Sequence, residues 1–383
     1  MKYPRDPWTL IAGVSVVYVI GFIPGTFLGF IVGGLIDSGF DRVEAGGLGT
    51  VEGVSLGAVM LLAAPFMARV SAVRVAVAGV LLAGLGQLSS ALLDSYWALA
   101  GARLSSGIGA GLALTAVTAA GAASRDPNRV YGFGLAGYMA LICLLTPALA
   151  KSIGSAGITG GFVLLGCAVF ASLPVLGWLG HTSRETVLVG SQQTLPRREL
   201  LLLLAVTILS MLAGSPTLAF QERIGANIGL EVEQIGEIFL LGTFAGFGGS
   251  VLAGWLGLRW GRTRPLLLTL LAFGASCVGF GYASSEAFYL AMMMLWWASN
   301  LFLYTSLMAM AAAIDPAGRL GPAAAGSWML VVGFGPLLGS FLIEAASYPA
   351  VGWWAAALLG VTILLVVLKG APLDRLGTSS AAR

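Results

Sequence analysis

Twelve long apolar runs separated by short polar breaks constrain the fold of this chain more than any other feature. A transmembrane helix needs about 20 predominantly apolar residues, and each run supplies that length. We therefore predict an all-α membrane protein of twelve transmembrane helices. The predicted spans are 8–36, 46–68, 72–92, 97–120, 130–151, 157–181, 199–222, 233–258, 264–284, 287–313, 319–345 and 349–369.

The composition of the chain agrees with a lipid environment. Hydrophobic residues make up 58% of the 383 residues and charged residues only 10%, whereas a soluble domain carries about 25% charged residues. The basic residues are spread over short loops and form no patch, so we expect no nucleic-acid partner. The three cysteines lie inside apolar runs without ligand spacing, which argues against a disulfide or metal site.

The placement of basic residues predicts the orientation. Arginines recur in alternate connectors, at 69–74, 125–129, 184–198, 259–264 and 319, and further basic residues lie at both termini. The intervening connectors are rich in Asp and Glu. The positive-inside rule then places both termini and the long central loop on the cytoplasmic side, and we expect the membrane to be a bacterial-type inner membrane.

The sequence also contains a weak internal repeat. With a shift of 189 residues, the Asp-Pro pair at 126–127 falls on the Asp-Pro pair at 315–316, and Pro147 falls on Pro336. Parallel repeats of this kind are typical of secondary transporters, whose solute site lies between the halves near mid-membrane. We predict two pseudo-symmetric six-helix bundles, 1–181 and 199–383, joined by a cytoplasmic linker at 182–198.

Two motifs resemble those of a known transporter family. The loop after the eighth run reads Gly254-Trp-Leu-Gly-Leu-Arg259-Trp-Gly261-Arg262-Thr-Arg264, and the fourth run contains Arg103-Leu-Ser-Ser-Gly107-Ile-Gly109-Ala-Gly111. The first resembles the cytoplasmic signature Gly-x-x-x-Asp-Arg-x-Gly-Arg-Arg of the major facilitator superfamily, with leucine at the aspartate position. The second is similar to the arginine-and-glycine motif of that family. The resemblance implies the major facilitator fold and a gating loop that contains Arg259, Gly261, Arg262 and Arg264.

The sequence departs from the family pattern in two places. The first-half copy of the cytoplasmic signature, at 65–74, is almost unrecognisable, which puts its gating contacts in doubt. The glycine-proline motif of many drug/proton antiporters is absent from the fifth run, where only Thr146-Pro147 stands. The resemblance therefore gives little support to the drug antiporter class.

A charged pair inside the apolar runs is the first candidate site. Arg103 lies within the fourth run and Glu52 at a comparable depth in the second. A charge at this depth costs several kcal/mol unless it is paired or hydrated, so intramembrane charges suggest a function. We predict that Glu52 and Arg103 couple transport to a proton; the alternatives are a static ion pair or a solvated Glu52. Gln87, in the third run, is interpreted as structural.

Polar and aromatic side chains in the second half form the second candidate site. Trp296, Trp297, Asn300 and Tyr304 recur at spacings of three and four, which places them on one helical face. We predict that this stripe lines a solute cavity, with packing as the alternative. Further candidates for this cavity are Tyr138 and Trp328 at nearly repeat-related positions, and, with less to distinguish them, Tyr18, Thr115 and Gln221.

These features predict a secondary active transporter that works by alternating access, and not an enzyme. The chain has no phosphate-binding Gly-x-x-x-x-Gly-Lys-Ser/Thr motif, so we expect no cofactor and a proton or other ion gradient as the energy source. A buried arginine among aromatic groups favours an anionic or amphipathic organic solute. The alternatives are a multidrug or metabolite efflux carrier of the same fold, a lipid-modifying membrane enzyme, or a transporter-like sensor. We expect the chain to function as a monomer in contact with membrane lipid.

Overall fold

The structure, a computed structural model, describes residues 7–63, 66–67, 69–124, 127–181, 197–257, 262–314 and 320–369. The described residues form helices and connecting turns, without a β-strand. The first six helices are α1 (Trp8–Thr26), α2 (Leu28–Asp37), α3 (Arg42–Ala63), α4 (Ala72–Ser90), α5 (Tyr96–Ala122) and α6 (Pro127–Ala171), followed by a 3₁₀ helix at Leu173–His181. The remaining helices are α7 (Arg197–Asn227), α8 (Val232–Gly257), α9 (Thr263–Gly281), α10 (Glu286–Ile314), α11 (Leu320–Gly333), α12 (Gly335–Ala345) and α13 (Tyr348–Lys369).

The prediction of an all-α chain with twelve transmembrane helices is confirmed. Eleven segments of the described chain are long and apolar enough to cross a membrane, and one of them, 129–180, has 52 residues. A segment of that length holds two spans of about 20 residues. Its backbone turns at Ala156 and at Gly157, which has φ +64°. The chain is thus a multi-pass membrane protein.

Three helix boundaries differ from the predicted ones. Helix α7 continues to Asn227, five residues beyond the predicted end at 222, so Arg223 belongs to the helix and not to a connector. The fifth span was predicted to end at 151, but the helix continues through Ser155 to the kink at Ala156 and Gly157. The second span ends at Ala63 within the described residues, earlier than the predicted 68.

The chain divides into two compact units, residues 1–188 and 189–383. That boundary falls within the range 182–198 for which we predict a linker, of which residues 182–196 lie outside the described part. Helix starts in the second unit follow their counterparts by 190 residues (42 to 232 and 96 to 286) or 191 residues (72 to 263). These spacings are close to the 189-residue shift found in the sequence.

The turn before the second span of each unit contains a glycine with positive φ, followed by a backbone amide that donates to a side chain three residues later. Gly39 and Gly229 have φ values of +106° and +89°, which glycine adopts without a steric penalty. A reciprocal cap follows in the first unit, where the Asp41 amide donates to Glu44 Oε2 at 3.1 Å and the Glu44 amide donates to Asp41 Oδ1 at 2.7 Å. In the second unit the backbone amide at 231 donates to Gln234 Oε1 at 2.9 Å.

Candidate functional site

Arg103 and Glu52 form an ion pair inside the first unit. Nη1 of Arg103 donates to Glu52 Oε1 at 3.2 Å and to Oε2 at 3.3 Å. Both side chains are 0% exposed. The two residues predicted from the sequence are therefore in direct contact, while their role in proton coupling stays a prediction.

Three further side chains complete the hydrogen bonding of this pair. Ser106 donates to Glu52 Oε1 at 2.6 Å, and Gln87 Nε2 donates to the same oxygen at 3.4 Å. Ser90 accepts from Nε of Arg103 at 3.0 Å and from Nη2. Nη2 of the arginine also donates to the Gly86 carbonyl and to Gln87 Oε1, each at 3.1 Å. Each nitrogen of the guanidinium thus has a hydrogen-bond acceptor.

The positions of these residues along α3, α4 and α5 explain why they meet. Arg103 and Ser106 are three residues apart on α5, as Gln87 and Ser90 are on α4, so each pair presents two polar groups on one helical face. Close approach of α3 to α5 depends on Gly107. A Cβ at Gly107 would overlap Ser55 Oγ and the Glu52 carbonyl oxygen.

An aromatic ring covers the pair from a fourth helix. The Phe162 ring centroid, on α6, lies 4.4 Å from the Arg103 guanidinium carbon. Cations are attracted to the face of an aromatic ring at this distance. The sequence did not predict Ser90, Ser106 or Phe162 as members of this site; the spacings of three to Gln87 and Arg103 were the available signal for the two serines.

The aromatic side chains of the predicted stripe on α10 contact three neighbouring helices, and the cavity role of the stripe stays a prediction. Trp296 contacts Phe273 of α9, with ring centroids 5.5 Å apart, and Trp297 contacts Phe239 of α8 at 5.0 Å. Asn300 is buried. Tyr304 lies further along, and its ring centroid is 5.0 Å from that of Trp328 on α11. The helical spacing predicted one face, but the aromatic rings point to three neighbouring helices.

Several buried polar groups of the second unit have no hydrogen-bond partner within the described part of the chain. They are the side-chain amide of Gln221, the hydroxyl of Ser215 and the indole N–H of Trp297. Gln221 is only 2% exposed, and a buried amide without partners costs free energy. Such groups in a native structure call for an explanation, and a polar ligand is one. Ser215 and Gln221 lie on α7, which packs against α10.

Tyr138 lies in an aromatic and hydroxyl cluster of the first unit. Its ring centroid is 5.1 Å from that of Phe22, and its hydroxyl is 2.7 Å from Thr26 Oγ1 on α1. Trp328, its counterpart near the 189-residue shift, packs against Tyr304 in the second unit. Each of the two residues therefore contacts an aromatic residue of its own unit.

Two of the four residues of the predicted gating loop lie in the described part of the chain. Arg259 and Gly261 lie outside the described residues. Arg262 is half-buried at the position before α9, and Arg264 is exposed in the first turn of that helix. The gating role of these residues stays a prediction.

The chain is similar in structure to a solved transporter. The crystal structure of a D-xylose-proton symporter superposes with a TM-score of 0.72, over 93% of this chain and 96% of that chain, at 13% sequence identity. No family model matches the sequence. No curated protein matches it either. The structural likeness shows the fold, and the chain has the major facilitator fold that the motifs led us to expect.

Proposed function

We propose that this protein is a secondary active transporter that moves a small organic solute by alternating access, coupled to protons through Glu52 and Arg103. The observation that carries the proposal is a fully buried ion pair in a chain with the major facilitator fold. The energy source would be an ion gradient, and no cofactor is proposed. The solved neighbour is a D-xylose-proton symporter, which supports this class of mechanism.

The ion pair suits proton coupling because its net charge depends on one proton. With Glu52 ionised, the carboxylate and the guanidinium neutralise each other inside the membrane. Protonation of Glu52 leaves the positive charge of Arg103 uncompensated, and a lone buried charge is strongly destabilising. Gain or loss of this proton would therefore favour different conformations of the first unit.

The buried polar groups of the second unit favour a polar solute. An amide, a hydroxyl and an indole N–H stand buried on α7 and α10 without partners in the described part of the chain, and the hydroxyl or carbonyl groups of a solute are suitable partners for each of them. The sequence favoured an anionic solute because of Arg103, but Glu52 neutralises that side chain. We therefore propose an uncharged polar solute, and organic anions are the alternative to be tested.

Uptake by proteoliposomes tests the proposal. Purified protein would be reconstituted and assayed with radiolabelled sugars, organic acids and cationic drugs, with and without an imposed pH gradient. We expect accumulation of a polar uncharged compound above its external concentration, and only with the gradient. Accumulation of an organic acid alone would show that the solute is an organic anion and not an uncharged compound. Outward movement of drugs would favour the efflux carrier. Failure to transport any of the three classes would contradict the proposal.

A further inference from the structure

A cavity of about 370 Å³ opens inside the first unit, next to the ion pair. Its wall is formed by the end of α2, the ends of α4 and α5 that meet near Asp94, and the α6 segment after the kink. The charge pattern of the connectors predicts that this end of the unit is external. The lining includes Glu44, Ser90, Asp94 and Phe162.

Two lining residues touch the Arg103 guanidinium directly. Ser90 accepts hydrogen bonds from Nε and Nη2, and the Phe162 ring stacks on the guanidinium carbon at 4.4 Å. Glu52 is bonded to the other terminal nitrogen, Nη1. The guanidinium therefore lies between the carboxylate, on one edge, and residues of the cavity wall, on another.

The charges around the cavity are negative. Its lining includes Glu44 and Asp94 and, among the residues that the structure describes, no Lys, Arg or His. Glu44 is held in place by the cap with Asp41. Asp94 is exposed. A guanidinium that left Glu52 in this direction would gain both water and opposite charge.

From these contacts we propose that the cavity is the second binding position of the Arg103 guanidinium, occupied when Glu52 is protonated. This inference rests on the proposed coupling role of the pair. It explains how the pair can separate inside a membrane at a tolerable cost, because the freed cation moves past Ser90 and Phe162 into a hydrated, acidic space. Ser90 is the positioning residue that bonds the guanidinium at the cavity wall.

Rescue by a free guanidinium ion tests whether a guanidinium can pass between the cavity and the Arg103 site beside Glu52. The Arg103→Ala variant removes the side chain, and methylguanidinium is the probe. We expect methylguanidinium to raise the Tm of detergent-purified Arg103→Ala in a saturable manner, and not that of the wild type. Ala91, another lining residue, allows the cavity to be closed: the rise should disappear in Arg103→Ala/Ala91→Trp. An absent rise in the first variant, or a rise that persists in the second, would overturn the inference.

A second measurement decides the matter if Arg103→Ala does not fold. The Ser90→Cys variant, in a background with Cys143, Cys167 and Cys277 replaced by serine, would be treated with a membrane-impermeant thiosulfonate reagent. We expect labelling from the predicted external side and its loss when Ala91→Trp is added. A thiol at position 90 that resists the reagent would overturn the inference. Neither measurement involves transport, so a failure of the inference can be told apart from a failed uptake assay.

Discussion

Arg103 and Glu52 are 51 residues apart in the chain, yet Nη1 of the arginine lies 3.2 Å from Oε1 of the glutamate, and neither side chain reaches solvent. Three helices contribute to the arrangement, since Gln87 and Ser90 of α4 bond to residues of α3 and α5. Loss of either charge would therefore leave the other buried and uncompensated in the first unit.

The first prediction concerns the stability of the pair. Arg103→Met leaves an uncompensated buried carboxylate, and removal of one partner of a buried pair costs about 3–5 kcal/mol. We expect a large fall in Tm, and a partial recovery in Glu52→Met/Arg103→Met, because two apolar side chains of similar volume leave no buried charge. Thermal unfolding of the single and double variants in detergent provides the measurement. If the losses of the two single variants simply add in the double variant, the charges do not interact as the distances indicate.

The second prediction concerns the approach of α3 to α5. Gly107→Ala introduces a methyl group where Ser55 Oγ and the Glu52 carbonyl oxygen lie. Overpacking of this kind costs about 1–3 kcal/mol. We expect a lower Tm and impaired transport, because Glu52 moves away from Arg103.

A matched control lies on the same helix. A Cβ at Gly101 would meet no atom within 4 Å, so Gly101→Ala removes only the entropic cost of a helical glycine. We expect that variant to unfold at or slightly above the wild-type temperature. Equal effects of the two substitutions would show that helix propensity, and not the close approach, governs position 107.

The third prediction separates two buried glutamines. The amide of Gln221 has no partner in the described part of the chain, whereas that of Gln87 bonds to Glu52, Ser106 and Arg103. An apolar side chain in place of an unsatisfied polar group is neutral or stabilising, but loss of a bonded partner leaves its neighbours unsatisfied. We expect Gln221→Leu to keep its Tm and to raise the KM for the solute about tenfold, the equivalent of roughly 1.4 kcal/mol.

Gln87→Leu should behave in the opposite way to Gln221→Leu. Its Tm should fall, since Glu52 and Arg103 lose hydrogen bonds, and the KM for the solute should change little. Thermal unfolding and initial uptake rates measure the two quantities. A fall in Tm for Gln221→Leu without any change in KM would identify Gln221 as a packing residue.

The sequence predicted the helices well because membrane spans depend on little beyond length and apolarity. The twelve spans, the repeat and the two members of the ion pair were all available from the printed residues. Gln87 was interpreted as structural, and nothing in its apolar surroundings indicated that it bonds to both charged residues. For Ser90 and Ser106 the spacings of three to Gln87 and Arg103 were the only signal, since serine is common in membrane helices and the packing of α3, α4 and α5 is what brings both serines to the ion pair.

Side-chain direction was the least predictable property. Trp296 and Trp297 are adjacent and fit one stripe by their spacing to Tyr304, but their rings contact α9 and α8 respectively. A spacing rule fixes where a side chain leaves the helix and not the rotamer that it adopts among its neighbours. Trp297 and Gln221 were candidates from the sequence, but that their polar atoms, and that of Ser215, lack partners in the described part of the chain depends on the same tertiary detail.

The measurement that bears most directly on proton coupling compares two carboxylates. Glu52→Gln removes the proton site but keeps a hydrogen-bonding side chain of the same size, while Glu237→Gln makes the same change at an exposed position of α8. Solute accumulation driven by an imposed pH gradient would be measured in proteoliposomes, beside solute exchange without a gradient. We expect Glu52→Gln to lose accumulation and retain exchange, and Glu237→Gln to retain both. Wild-type accumulation by Glu52→Gln would contradict the role of the Glu52–Arg103 pair.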